Sequence, residues 1–198
     1  MTVVSLPAYA FPPLALGFLG LATGYIIYGP QELFGFPRRN KEVDLATGIW
    51  GIWMPGFLQF LTGTYLFVGL AWFHTFTAGP LYMAALAFSA YGVHWFAIGY
   101  NRAHGAHPHP NGYMAISFTF ISILGLIVFF HAGDWPVGLL FLGLTLIYIS
   151  DILATFKIGG EDIGQRALGF FHLVTGAWLI YLMFAATLNF SSGFHLAL

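Results

Sequence analysis

PLYMAALAFSAYGVHWFAIGY, Pro80 to Tyr100, is the stretch that decides how this chain must be read. No Asp, Glu, Lys or Arg interrupts it. Its length matches the roughly 20 residues a helix needs to cross the hydrocarbon core of a bilayer. Tyr91, His94 and Trp95 stand at i, i+3 and i+4, so a helix gathers them into one patch on a single side.

Similar blocks recur along the chain. Spans are expected at about Leu14–Phe34, Leu45–Phe73, Pro80–Tyr100, Tyr113–Phe130, Pro136–Phe156 and Ala167–Phe190. GPQELFGFPRRNKEVD, HTFTAG, NRAHGAHPHPNG, HAGDWP and KIGGEDIGQR separate them, each combining helix breakers with polar or charged residues. The composition agrees: 59% of the 198 residues are hydrophobic and 7% charged, against roughly 25% charged in a soluble domain. The sequence therefore predicts an all-α integral membrane protein, a single domain over residues 1–198 in which six transmembrane helices form a bundle with a path through each protomer. The opening MTVVSLPAYAF lacks the basic segment of a secretory signal and reads as the lead-in to a retained span.

The net charge of -1 offers no cationic cluster for nucleic acid. The absence of cysteine excludes disulfides, thiolate-held clusters and cysteine nucleophiles, and leaves the redox compartment open. Arg38, Arg39, Lys41, Arg102, Lys157 and Arg166 all fall in connections on one side of the expected spans. By the positive-inside rule that side is cytoplasmic, which puts both termini outside a cell inner membrane or plasma membrane. Glycines inside the spans, Gly20, Gly24, Gly48, Gly63 and Gly176 among them, read as sites of close helix packing. Pro55 is expected to bend the second span.

Polar residues inside spans need partners or water, which makes them informative. Gln59 lies mid-span with Thr62 and Gly63 on the same face, and Tyr91 and His94 lie deep in the third span. Hydroxyls at Ser117, Thr119, Ser122, Thr145, Tyr148 and Thr175 complete the material for a narrow, mostly apolar route suited to a small solute. His94 fits either a structural role, with a ring nitrogen satisfied by Tyr91, Gln59 or a backbone carbonyl, or a role contacting an anion or relaying a proton. A metal is not expected there, because no second ligand stands at i+3 or i+4. Asp151, toward the cytoplasmic end of its span, is expected to snorkel or to pair with Lys157 or Arg166, with a role in proton transfer or selectivity as the alternative. HGAHPHP, with His104, His107 and His109, reads as an exposed loop more readily than as a metal or pH-sensing site.

No HExxH, G-x-S-x-G or Walker loop is present, and no intramembrane carboxylate pair, so an enzyme is not expected and no cofactor is called for. Transport needs only shaped apolar walls and a few polar contacts. A membrane assembly protein is the third class, disfavoured by the deep Gln59, Tyr91 and His94.

PPLALGFLGLATG (Pro12 to Gly24), MPGFLQFLTGTYLF (Met54 to Phe67), AFSAYGVHWF (Ala87 to Phe96), LFLGLTLIY (Leu140 to Tyr148) and TGAWLIYL (Thr175 to Leu182) resemble, in order, segments of the acetate uptake transporter family, the YaaH-like proteins. That resemblance implies a six-helix protomer, a hexamer, and passage of acetate or a related small monocarboxylate together with protons. It also implies a central constriction made here by Leu21, Tyr91 and Leu144, with Gln59 and the Tyr91 hydroxyl offering hydrogen bonds and His94 beside them. The family's phenylalanine is replaced by Leu21, its N-terminal asparagine is lost, and the acidic residue ending its second span is missing. Family members hold their termini in the cytoplasm, opposite to the charge count here. The amide and urea channels also resemble the layout, with six spans and external termini, and Gly133–Trp135 and Gly99–Asn101 echo them. Conduction of urea or a short amide is therefore the alternative.

Overall fold

In the computed structural model, residues 13–160 and 162–198 are described. The lead-in before Pro13 and Pro12 of the PPLALGF segment lie outside them. Helix α1 spans Leu14–Phe34, and α2 (Lys41–Gly51) and α3 (Gln59–Ala71) are joined end to end by a π-helical segment, Ile52–Leu58. Helices α4 (Pro80–His104), α5 (His109–His131), α6 (Trp135–Thr155) and α7 (Ile163–Ser192) complete the order.

The continuous unit Lys41–Ala71 and helices α4 to α7 are long and apolar enough to cross a membrane. Helix α1 equals α6 in length, 21 residues, but is less apolar because it carries Tyr25, Tyr28, Gln31 and Glu32. It tolerates them because it is largely enclosed, packing most extensively on α7 and also on the π segment and α3. Large apolar side chains such as Phe120, Ile127 and Phe184 face outward, 69%, 57% and 54% exposed. Only a hydrocarbon solvent makes that arrangement favourable over so much surface. The chain is an all-α, multi-pass membrane protein.

The elements start and stop where local chemistry dictates. Asn40 caps α2 by accepting from the Glu42 and Val43 N–H groups at 3.0 and 2.9 Å, and Asp134 caps α6 by accepting from Val137 N–H at 3.1 Å. Gly35, Gly105 and Gly193 end α1, α4 and α7 in left-handed conformation, where a side chain is disfavoured. Beyond Gly193 the chain turns back. Asn189 bonds the Leu196 carbonyl and N–H, both at 2.9 Å, Tyr181 donates to the Ala197 carbonyl, and Leu198 packs against the bundle core.

One sequence expectation, the span boundaries, is corrected. The fourth and sixth spans are longer than their hydropathy indicates, and so is the third. Helix α4 runs on to His104 and α5 begins at His109, leaving only Gly105–Pro108 of the expected loop NRAHGAHPHPNG. Helix propensity and Pro110 in the first turn carry the backbone past the apolar boundary. Pro55, expected to bend the second span, lies inside the π-helical segment. Its missing N–H is absorbed there, in the form in which an extra residue is commonly accommodated, often at functional sites.

Helix α4 is the hub, packed on α2, the π segment, α3 and α5. It meets the second span at glycines. A methyl group built on Gly48 would overlap the Gly99 carbonyl oxygen, and one on Gly99 would stand 2.5 Å from the Gly48 carbonyl oxygen. Higher up, a methyl on Gly92 would lie 2.5 Å from Phe60 N. These are backbone obstacles that cannot rotate aside. Gly99→Ala is therefore expected to lower stability in detergent unfolding by about 1–3 kcal/mol, the range for overpacking. Gly79→Ala, where the added methyl meets nothing within 4 Å, is expected to stay within about 0.5 kcal/mol of wild type.

Candidate functional site: two cavities and the layer between them

Because successive helices run antiparallel, Leu14, the 72–79 and 132–134 connections and the 193–198 segment share one end of the bundle, here the terminal end. The other end holds the connections bearing every Lys and Arg, and is here the basic end.

A cavity of about 330 Å³ opens from the terminal end. Its walls are mainly apolar, including Phe18, Phe88, Leu140 and Phe141, and its polar side chains are Gln59, Tyr91 and Asp134. Leu21 and Leu144 line it too, so four of the residues singled out in the sequence, Leu21, Gln59, Tyr91 and Leu144, face one space. Leu21, Tyr91 and Leu144 are each only 2% exposed. Gln59 is fully buried, and neither its Oε1 nor its Nε2 has a hydrogen-bond partner among the described residues. Leaving a buried polar group unpaired costs about 1–3 kcal/mol. Such a group facing a cavity is a contact held ready for something that enters it.

The second cavity, about 350 Å³, opens from the basic end and shares no lining residue with the first. Tyr25, His94 and Tyr148 form its inner limit. They lie one helical turn beyond Leu21, Tyr91 and Leu144 on the same three helices, α1, α4 and α6. The partition is thus about one turn thick, roughly 5 Å. Rings knit its two faces together beside Leu21 and Leu144: Tyr91 stacks on Tyr148 at 5.8 Å, His94 lies 5.6 Å from Tyr148 and 4.7 Å from Phe118, and Tyr25 is 6.0 Å from Trp95.

The fifth singled-out residue, His94, is therefore on the opposite side of the partition from Tyr91. Its Nδ1 pairs with the Tyr148 hydroxyl at 3.2 Å, and its Nε2 is buried with no partner among the described residues. None of the expected partners, Tyr91, Gln59 or a backbone carbonyl, holds Nδ1. The Tyr91 hydroxyl instead meets Ser122 Oγ at 2.9 Å. Since Ser122 donates to the Phe118 carbonyl at 2.8 Å, Tyr91 donates to Ser122, and its ring serves as wall. The unpaired polar groups beside the partition, among the described residues, are the Gln59 amide on one side and His94 Nε2 on the other.

Sequence reasoning missed much of the basic-end cavity. His172 on α7 contacts Glu32 of α1 through Nδ1 and Oε2 at 2.5 Å, and its ring stacks on Tyr25 at 4.5 Å. These residues are 140 positions apart, and only a histidine near the start of an apolar helix hinted at a role. Arg102 extends between helices: its Nε donates to Asp44 at 2.5 Å, its Nη2 donates to Gln31 Oε1, and its guanidinium lies 5.4 Å from the centre of the Tyr28 ring. Arg39 binds the same Asp44 carboxylate, and Gln31 Nε2 donates to Thr47 at 2.9 Å. Asp151 lines this cavity and accepts from Thr155 at 3.2 Å.

The loop histidines do not converge. His107 and His109 meet edge to face at 4.6 Å, whereas His104 stacks on Tyr100 at 4.0 Å and bonds its carbonyl. Among the described residues no group of three metal-capable side chains forms.

Among solved structures, the chain is similar to the bacterial acetate channel SatP, with a TM-score of 0.70 and 18% identity, over 93% of this chain and 96% of that one. At that identity the likeness is one of fold. No protein-family model matches the chain, and no curated protein sequence does.

Removing the guanidinium that ties α4 to α1 and α2 leaves the partly buried Asp44 short of a partner. Arg102→Ala is expected to reduce stability by about 1–3 kcal/mol, less than for a fully buried pair because Asp44 is part-exposed. Arg102→Lys should recover little of this, since an ammonium cannot bond Asp44 and Gln31 in the same fork. Unfolding midpoints of the two variants in one detergent provide the check.

Proposed function

We propose that the chain conducts acetate or a similar small monocarboxylate across a membrane, through the two cavities and the layer between them. One observation carries this reading: cavities from opposite ends stop one helical turn apart, with an unpaired amide, Gln59, facing one and an unpaired imidazole nitrogen, His94 Nε2, buried at the edge of the other. A packed assembly protein has no use for either cost. The shared fold with a bacterial acetate channel supports the same reading.

In this proposal Leu21, Tyr91 and Leu144 are the constriction. A solute crossing it sheds water, which is expensive for an ionised carboxylate and far less so for a protonated one. Passage with a proton is therefore favoured, and small size is required by a slot walled with Leu and Tyr. His94 is placed to hand the proton on: it bonds Tyr148 through one nitrogen and leaves the other free for the solute. Gln59, with a donor and an acceptor, greets the solute before the constriction. Assembly as a hexamer, with a path in each protomer, and a cytoplasmic basic end complete the proposal.

Isotope uptake into proteoliposomes, with acetate and urea compared under an imposed pH gradient, tests it. Acetate is expected to accumulate faster than in empty vesicles and to follow the proton gradient. Uptake of urea alone would replace the proposal with a urea channel, and uptake of neither would end it. His94→Gln is expected to flatten the pH profile of acetate flux while leaving the protein folded. A profile unchanged in shape would remove His94 from proton transfer.

A further inference from the structure

We propose that Asp134 is a charge filter at the terminal mouth of the path, holding anions back and letting uncharged solutes pass. The inference rests on the transport reading above and adds a specificity residue to it.

The chain contains seven Asp and Glu and six Lys and Arg. By position, all of the bases and every acid except Asp134 lie in or next to the connections of the basic end. Among the described residues Asp134 is thus the one acidic side chain at the terminal end, and it lines the cavity that opens there. The residues around it in that wall, Ala132, Val137, Leu140 and Leu198, are apolar. Among the described residues no Lys, Arg or His side chain shares the lining. The histidines on the flanking segments, His74 before α4, His131 at the end of α5 and His195 after α7, are all exposed, and the backbone carboxyl group of Leu198 adds negative rather than positive charge to the wall.

Capping does not account for the charge. One carboxylate oxygen accepts from Val137 N–H at 3.1 Å, a task that Asn or Ser performs about as well. What an aspartate adds is a negative field at the rim of a cavity with low-dielectric walls, where field lines are focused rather than screened. Partial burial raises the Asp134 carboxyl above its ordinary range, opposed by the Val137 N–H. Asp134 is itself only partly exposed, so water screens its charge incompletely.

The experiment measures acetate and its uncharged counterpart acetamide in parallel, by flux through wild type, Asp134→Asn and Asp134→Ser in proteoliposomes at pH 7.5. A single path must cross this mouth in either direction, so mixed orientation does not hide the effect. Both variants keep the cap. They are expected to raise the acetate-to-acetamide flux ratio roughly tenfold at low salt, the scale on which a charged cleft biases ion capture. The gain should shrink at high salt, and Asp134→Glu should keep the wild-type ratio. An unchanged ratio in both neutral variants, or equal changes for the two solutes, overturns the filter while leaving transport intact. Wild-type vesicles that pass neither solute overturn the transport reading itself, and the filter with it.

Discussion

The closeness of two backbones sets everything else in this bundle. In hydrocarbon there is little hydrophobic force between helices, so their association depends on packing contacts that small residues permit. Helix α4 lies against the second span with Gly48 facing Gly99 and with Gly92 against the backbone of Phe60. Gln59 is the neighbour of Phe60, and Tyr91 the neighbour of Gly92. The same contact that joins the helices therefore fixes both polar residues of the terminal cavity. Were the helices a side chain further apart, the amide and the phenol ring would no longer share a wall.

The π-helical segment belongs to this arrangement. Pro55 cannot donate to the preceding turn, and within the widened turn it packs where a methyl on Gly24 would touch its ring. α1 thus approaches the second span closely at the level of Leu21 and Tyr25, the two α1 residues on either side of the partition. Three helices, α1, α4 and α6, each supply one residue to one face of the partition and one to the other. Such a layer is stiff because every ring in it touches another, and its thickness is set by helical rise rather than by loop conformation.

Much of this was legible in the sequence, for reasons that also explain what was not. Span positions follow from apolar runs, since burial in lipid demands them, and Gln59, Tyr91 and His94 stood out because polar groups in such runs are expensive. Helix ends were less legible: α4 and α5 continue into polar sequence, where hydropathy falls silent but backbone hydrogen bonding does not. Pairings between distant helices were illegible. Nothing near His172 names Glu32, and nothing near His94 points to Tyr148 rather than Tyr91. The i, i+3 spacing of Tyr91 and His94 put them on one helix face correctly, but a helical turn of rise separates them along the axis, enough to assign them to different cavities.

On the transport reading proposed above, that separation gives the path its polarity. On that reading the basic-side cavity offers a solute Arg102 and Arg39, which share the Asp44 carboxylate behind them, the Glu32 and His172 pair, and hydroxyls that can replace water. On the terminal side it meets hydrocarbon, one amide and one acid. Hydration is therefore surrendered in stages from the terminal end and restored abruptly past the partition. A solute with a charge to hide pays most of its desolvation before the constriction, where only Gln59 offsets the loss, and regains it within a turn. The steep step lies at the aromatic layer, so the size of that slot and the protonation of what passes through it are decided at the same place.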